Sequence, residues 1–207
     1  KGANLRGTIF KRSDLSGSIL TDCYYLDKTN FYRANCIGCD FSNSNLKYAE
    51  FQKAKLEDAN FNNCTLARAN FSKADLHRTI MSDSNMTNAI LNAAIATKTI
   101  FTESTMINCS AIGLIAREAN FTEADLSGAE LEGAQLIRCV IVNVNLIHSE
   151  LTDASLLGTD LSLSTFDRTD FTNTNFTDVI LDNVINKGAI FDKVKLTDKQ
   201  RRQLKLN

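Results

Sequence analysis

From Phe31 to Leu196 a large apolar residue returns at every fifth position, 34 positions in all. This central residue is Leu, Phe, Ile or Met except at Cys36, Ala96, Ala111, Ala116 and Asn186. The residue two before it is Ala, Cys, Ser, Thr or Val except at Leu114, and all twelve Phe and three Met sit on the central phase. A helix would need apolar spacings of three and four, and a plain strand a spacing of two. In an extended segment side chains alternate in direction, so the small residue and the centre share one face while the residue between them points away. The two remaining residues turn a corner. Each unit therefore supplies one short side with two inward residues, and successive sides must bend the same way to bury them. A coil results, although the period alone does not count its sides.

Written as units the run reads AKL, ANF, CTL, ANF, ADL from Ala54 through Leu76, and ANF, ADL, AEL, AQL from Ala119 through Leu136. Ala69-Asn70-Phe71-Ser72-Lys73, Ala74-Asp75-Leu76-His77-Arg78 and Ala124-Asp125-Leu126-Ser127-Gly128 closely match A(D/N)LXX. On these residues, and over nearly its whole length, the chain resembles the pentapeptide-repeat family. The resemblance implies an all-β fold, a right-handed quadrilateral parallel β-helix with four pentapeptides per turn. At roughly 4.8 Å per coil, about ten coils make a rod roughly 48 Å long, each coil touching only its neighbours. Residues 1–196 are read as this solenoid and 197–207 as a C-terminal cap. Thr197-Asp198-Lys199-Gln200 carries the signature of a helix capping box, and Arg201 to Leu206 continue a short helix over the open end.

Four places depart from the pattern. Centres at Phe10, Leu15, Leu20 and Tyr25 precede Phe31, so one residue is inserted around Leu26-Asp27-Lys28, a bulge beside which Tyr24, Tyr25 and Tyr32 cluster, with Tyr48 a coil further on. Leu114 fills space that Ala111 and Ala116 vacate, since cores demand near-constant packing. Asn186 places an amide inside, where it needs partners. The chain opens on Lys1-Gly2-Ala3-Asn4-Leu5, already a repeat fragment without an initiating Met. That start reads as a domain cut from something longer or a processed product, and an uncapped first coil invites end-to-end pairing with a second copy.

Composition narrows the function. The 207 residues include no Pro, so nothing interrupts the backbone ladder that stacked coils require. A formal net charge of −1 argues against a generally basic nucleic-acid binder. There is neither a long apolar run nor a signal-like segment. Cys23, Cys39, Cys64, Cys109 and Cys139 fill small inward positions and Cys36 a centre, so they read as buried hydrophobes rather than disulfides or metal ligands, which favours a reducing, cytoplasmic setting. His77 and His148 fall outward, several coils apart. No catalytic constellation, phosphate-cradling loop, metal site or cofactor site is legible, and a filled solenoid leaves no substrate cavity.

What remains is the surface. With four units per coil, residues 20 apart stack. Arg12, Arg33, Lys53 and Lys73 then form a cationic column on one face, and Asp83, Glu103 and Glu123 a shorter acidic one opposite. Outward Ile95 and Ile115 stack on one face and Ile80 and Ile100 on another, as an apolar patch. The reading is a non-enzymatic rigid scaffold presenting flat faces to a protein partner, through the cationic column first and the isoleucines second. The family resemblance also implies an alternative, since some members mimic double-stranded DNA and bind type II topoisomerases such as gyrase; that role needs a strongly acidic rod. A further alternative is the repeat domain of a larger effector or regulatory protein.

Overall fold

The computed structural model describes residues 4–206; the chain's first residues, Lys1-Gly2-Ala3, on which the reading of its start rests, lie outside them. Each side of the coil is so short that only its middle residue pairs, and every pairing is parallel. From Asn30 onward the partner is always 20 residues away, as in Asn30 with Glu50, Asn35 with Lys55, Asp40 with Asn60 and Asn45 with Thr65. Twenty residues at five per side make four sides, so the structure supplies the number that the period could not. We label the sides by these residues: face 1 (Asn30, Glu50, Asn70), face 2 (Asn35, Lys55, Asp75), face 3 (Asp40, Asn60, Ile80) and face 4 (Asn45, Thr65, Asn85).

The backbone accounting explains why the repeat is five. In one unit Phe51 N donates to Asn70 O at 2.7 Å, Lys53 N to Ser72 O at 3.0 Å and Lys55 N back to Ala34 O at 3.0 Å, all between coils. Ala54 N closes the corner onto Phe51 O at 3.0 Å. Buried main-chain groups are thereby paired without any long strand. Each corner has its third residue at positive φ and its second not, the pattern of a type II turn. The Asp or Asn before the centre adds to this turn: Asn70 Oδ1 accepts from Ser72 N at 2.9 Å, and Asp160 Oδ1 from Ser162 N at 2.9 Å. The Asp/Asn preference at that position is thus a corner device.

Inside, central residues stack in four columns. Phe10, Phe31, Phe51 and Phe71 stack along face 1 with ring centroids 5.4, 4.6 and 5.0 Å apart, and meet Phe41 and Phe61 of face 3 edge-on across the axis. Such pairs contribute roughly 0.5–1.5 kcal/mol each beyond the area they bury. The small position accepts Ser, Thr and Cys as well as Ala because a heteroatom there reaches a carbonyl, at a corner of the neighbouring coil or, as Ser84 does to Met81 O, of its own. Thr79 Oγ1 donates to Leu56 O at 2.8 Å, Cys64 Sγ to Phe41 O at 3.0 Å and Ser164 Oγ to Ile141 O at 2.7 Å. Leu114 is fully buried beside Ala111 and Ala116, in keeping with an exchange of sizes.

The insertion requires a correction. Tyr25 is not a centre: it is 53% exposed, while Leu26 is 0% exposed. Leu5 N donates to Tyr25 O and Gly7 N to Asp27 O, which sets Leu5 over Leu26. The extra residue therefore falls before Leu26, within the side that runs from Cys23 to Leu26 and holds Tyr24 and Tyr25, and the pairings of that coil span 21 residues, as in Ile9 with Asn30. An aliphatic chain fits the inner column where a phenol would bury its hydroxyl. Cys23, three residues before Leu26, takes the inward slot instead.

At the other end, helix α1, Asp198–Gln203, starts at Thr197 with both reciprocal bonds of a capping box. Asn186 Nδ2 donates to Leu204 O at 3.0 Å, so the segment after α1 provides the partner that this inward amide needs.

Candidate protein-binding surfaces

Arg12, Arg33, Lys53 and Lys73 do line up, but on an edge rather than a face. Each occupies the third position of the corner joining face 1 to face 2, with φ of 60°, 55°, 60° and 59°. Arg12 N bonds to Tyr32 O at 3.0 Å and Arg33 N to Gln52 O at 3.0 Å, which holds the column in register while all four side chains stay exposed. None of the four forms an ion pair with a described carboxylate. Tyr32 lies in this edge and not with the other tyrosines, its ring under Lys11 at 5.1 Å and Arg33 at 5.3 Å. Asp83, Glu103 and Glu123 occupy the diagonally opposite edge, between faces 3 and 4.

The other tyrosines line a shallow hollow with Arg6, Asp27, Lys28, Asn45 and Lys47. Arg6 pairs there with Asp27 at 2.7 Å, and Lys47 lies over Tyr48 at 5.2 Å. The sequence reading missed these cations. Reading the residue immediately after each centre, as well as the second one, finds Arg6 and Lys47.

The isoleucines form two patches. Ile95 pairs with Ile115 on face 2 and Ile80 with Ile100 on face 3. Between them runs the edge where Lys98 meets Glu118 at 3.6 Å. Ile112, at the edge of face 2 and 41% exposed, extends the face 2 patch and went unnoticed in the sequence.

The six cysteines are free and buried. Burial pushes the thiols of Cys64, Cys109 and Cys139 up to about 12. At the Cys36–Cys39 corner, the bond between the two side chains holds the Cys36 thiol up and lowers Cys39. Among the described residues no group of three or more His, Cys, Asp or Glu is placed to hold a metal ion, and no helix is long and apolar enough to cross a membrane.

A profile of pentapeptide repeats (8 copies) matches residues 1–24, 104–141, 139–178 and 159–198, and one of a pentapeptide repeat region matches 18–91. The chain belongs to the pentapeptide-repeat family. Among solved structures, this pentapeptide-repeat protein is similar to a trypsin-treated variant of QnrB1, a plasmid-mediated fluoroquinolone resistance protein. The TM-score is 0.60 at 23% identity, over 79% of this chain and 84% of that one. HetL of the cyanobacterium Nostoc sp. strain PCC 7120, involved in heterocyst differentiation regulation, aligns over 94% and 90% at 19% identity and a TM-score of 0.39. A pentapeptide repeat protein of the Arabidopsis thaliana thylakoid lumen aligns over 67% and 72% at 25% identity and a TM-score of 0.31. Among curated proteins none matches this chain. At 23% identity the likeness to the QnrB1 variant carries the right-handed quadrilateral β-helix fold and nothing about partners.

Charge is distributed unevenly along this pentapeptide-repeat rod. Residues 1–100 hold 13 Lys and Arg against 9 Asp and Glu, whereas residues 101–196 hold 6 against 14. A net charge of −1 conceals a basic half joined to an acidic one.

Proposed function

We propose that this pentapeptide-repeat protein is a non-enzymatic, rigid scaffold, one continuous solenoid of about ten coils closed by α1, that captures a protein partner through its basic edge. The observation that carries the reading is the column Arg12, Arg33, Lys53 and Lys73: four exposed cations in register, without a described carboxylate among them. Like charges stacked along a ladder repel, and an acidic partner surface relieves that cost. The six free, buried thiols suit a reducing compartment such as the cytoplasm. The test is affinity capture from lysate of the source organism, comparing the native chain with a variant carrying Glu at all four positions. Loss of a partner in the variant, with the β-rich fold and melting unchanged, supports the reading; capture that survives overturns it.

The acidic second half favours a second reading, DNA mimicry toward a type II topoisomerase. The basic first half opposes it, because mimicry requires one sign of charge along the rod. A supercoiling assay with purified gyrase discriminates, and no effect at micromolar protein removes it.

A further inference from the structure

Face 2 is complementary to itself. Ile95 and Ile115 sit mid-rod on this face, paired with each other across adjacent coils. A second copy laid antiparallel on face 2, with a two-fold axis between these residues, sets each Ile95 on Ile115 of the other copy. Straight columns at constant register then carry every other residue to a defined opposite number. Lys98 faces Glu118 of the second copy, Lys53 faces Asp153, Asp14 faces Lys195 and Lys11 faces Asp192; Lys73 faces Gly133, beside Glu132. All these charged side chains are exposed. Each pair occurs twice, as an isologous contact demands.

We propose that face 2 and its basic edge bind a second copy of this chain in an antiparallel, side-by-side dimer. The claim rests on the scaffold reading and names the partner of the same edge. Three features point to a copy rather than an unrelated acidic protein. The charge reversal runs along the same edge, from Lys53 and Lys73 to Glu132 and Asp153, so the complement is already in the chain. Both halves carry charge at one ruler spacing, the ~4.8 Å between coils, so every pair stays in step with the next. The apolar residues, Ile95, Ile112 and the half-buried Ile115, fall at the centre with Lys98 and Glu118 along one edge of it, and the other charges fall toward the ends, close to the usual anatomy of an interface. Two like-charged meetings arise. Arg78 faces Arg138, but is already bound by Glu57 and Asp58, each at 2.7 Å. Arg12 faces Lys193, which lies next to Asp192.

The footprint is modest. A side three extended residues wide spans roughly 10 Å, and with its edges the face approaches only the ~1,000 Å² minimum of a specific interface. The dimer is accordingly weak and steered by charge.

Sedimentation equilibrium of the purified chain up to about 1 mM tests this, at low salt and at roughly 0.5 M salt, where charges are screened beyond a few ångströms. The expected result is a low-salt dimer weakened at least tenfold by salt. The pair Lys53→Glu and Lys73→Glu, and separately the pair Glu132→Lys and Asp153→Lys, each yields a monomer, and mixing the two variants restores a heterodimer. A native chain that stays monomeric, a mixture that stays monomeric, or a dimer indifferent to both pairs, as end-to-end pairing would be, overturns the proposal. The Glu132/Asp153 variant keeps the basic edge intact. Capture of another protein by that variant therefore leaves the scaffold reading standing when the dimer fails, and capture that survives reversal of the basic edge overturns that reading whatever the dimer does.

Discussion

Gln200, buried in the short C-terminal helix, donates from Nε2 to the main-chain oxygen of Phe176 at 2.9 Å, 24 residues back. Inward threonines of earlier coils make the equivalent bond over 23 residues, as Thr99 does to Leu76 O and Thr174 to Leu151 O. The glutamine therefore stands in for the small polar residue of a coil that is not there. It is held by Thr197, whose Oγ1 accepts from Gln200 N at 3.2 Å while Gln200 Oε1 accepts from Thr197 N at 2.9 Å.

Replacing Gln200 with Ala removes the side-chain half of the capping box and one of the two donors to Phe176 O, the other being Val179 N. The expected loss is about 1–3 kcal/mol, measured by urea unfolding. Since each coil interacts only with its neighbours, hydrogen exchange should accelerate around Ile180–Ile190 and leave the amides near Phe51 protected.

Thr79 probes the buried hydroxyl bond without disturbing the surface. Thr79→Val leaves Leu56 O without its second donor and should cost about 1 kcal/mol, whereas Thr79→Cys should fall well short of that, because Cys64 already makes the same bond to Phe41 O. Equal destabilisation by both substitutions in a melting experiment would contradict this account of the position.

The basic edge pays a conformational penalty for its charges. Lys53 and Lys73 hold positive φ, a region that costs a residue with a Cβ roughly 1–2 kcal/mol and glycine little. Lys53→Gly and Lys73→Gly should therefore keep or raise the melting temperature while removing the charges. A drop in partner capture together with unchanged or greater stability would separate binding from folding at these corners.

Buried thiols give the fold an alkaline limit. The folded values of Cys64, Cys109 and Cys139 are pushed up to about 12, from an ordinary 9.0. Between those values the folded state holds a proton that the unfolded state has released, so stability is full below pH 9.0 and falls as pH rises toward about 12. The slope approaches about 1.4 kcal/mol per pH unit for each thiol. Replacing the three with Ala should flatten the alkaline limb of a stability-against-pH curve, and an unchanged limb would mean that other groups set it.

Much of this fold is legible in the residues because each inward slot accepts only a narrow set of volumes. The short sides follow from that restriction, the corner role of Asp and Asn from the reach of their side chains to nearby backbone, and the helix after Leu196 from its capping box. Tyr25 and Leu26 show where legibility ends: adjacent residues, both bulky, either of which satisfies an apolar pattern. Burial and the bonds from Leu5 N to Tyr25 O and Gly7 N to Asp27 O decide between them. Charged columns were visible at a spacing of 20 once four sides were assumed, but their position on edges was not, since Arg and Lys give no sign of the positive φ that they adopt. The partition of the isoleucines by Lys98 and Glu118 likewise depends on which faces adjoin, and that emerges only when the coil is closed.

The extra residue before Leu26 has a consequence for how the chain finds its register. In a perfect five-residue repeat, sliding one segment by five positions merely rotates it by one side, with every large residue still inside. Many mispaired coils would then be nearly as good as the native one. A single irregular side, together with Leu114 against Ala116 and Asn186 against Leu204, removes that degeneracy, because a slipped chain would place a bulge, an oversized residue or an unmet amide in the wrong coil. These imperfections act as index marks on an otherwise blank scale.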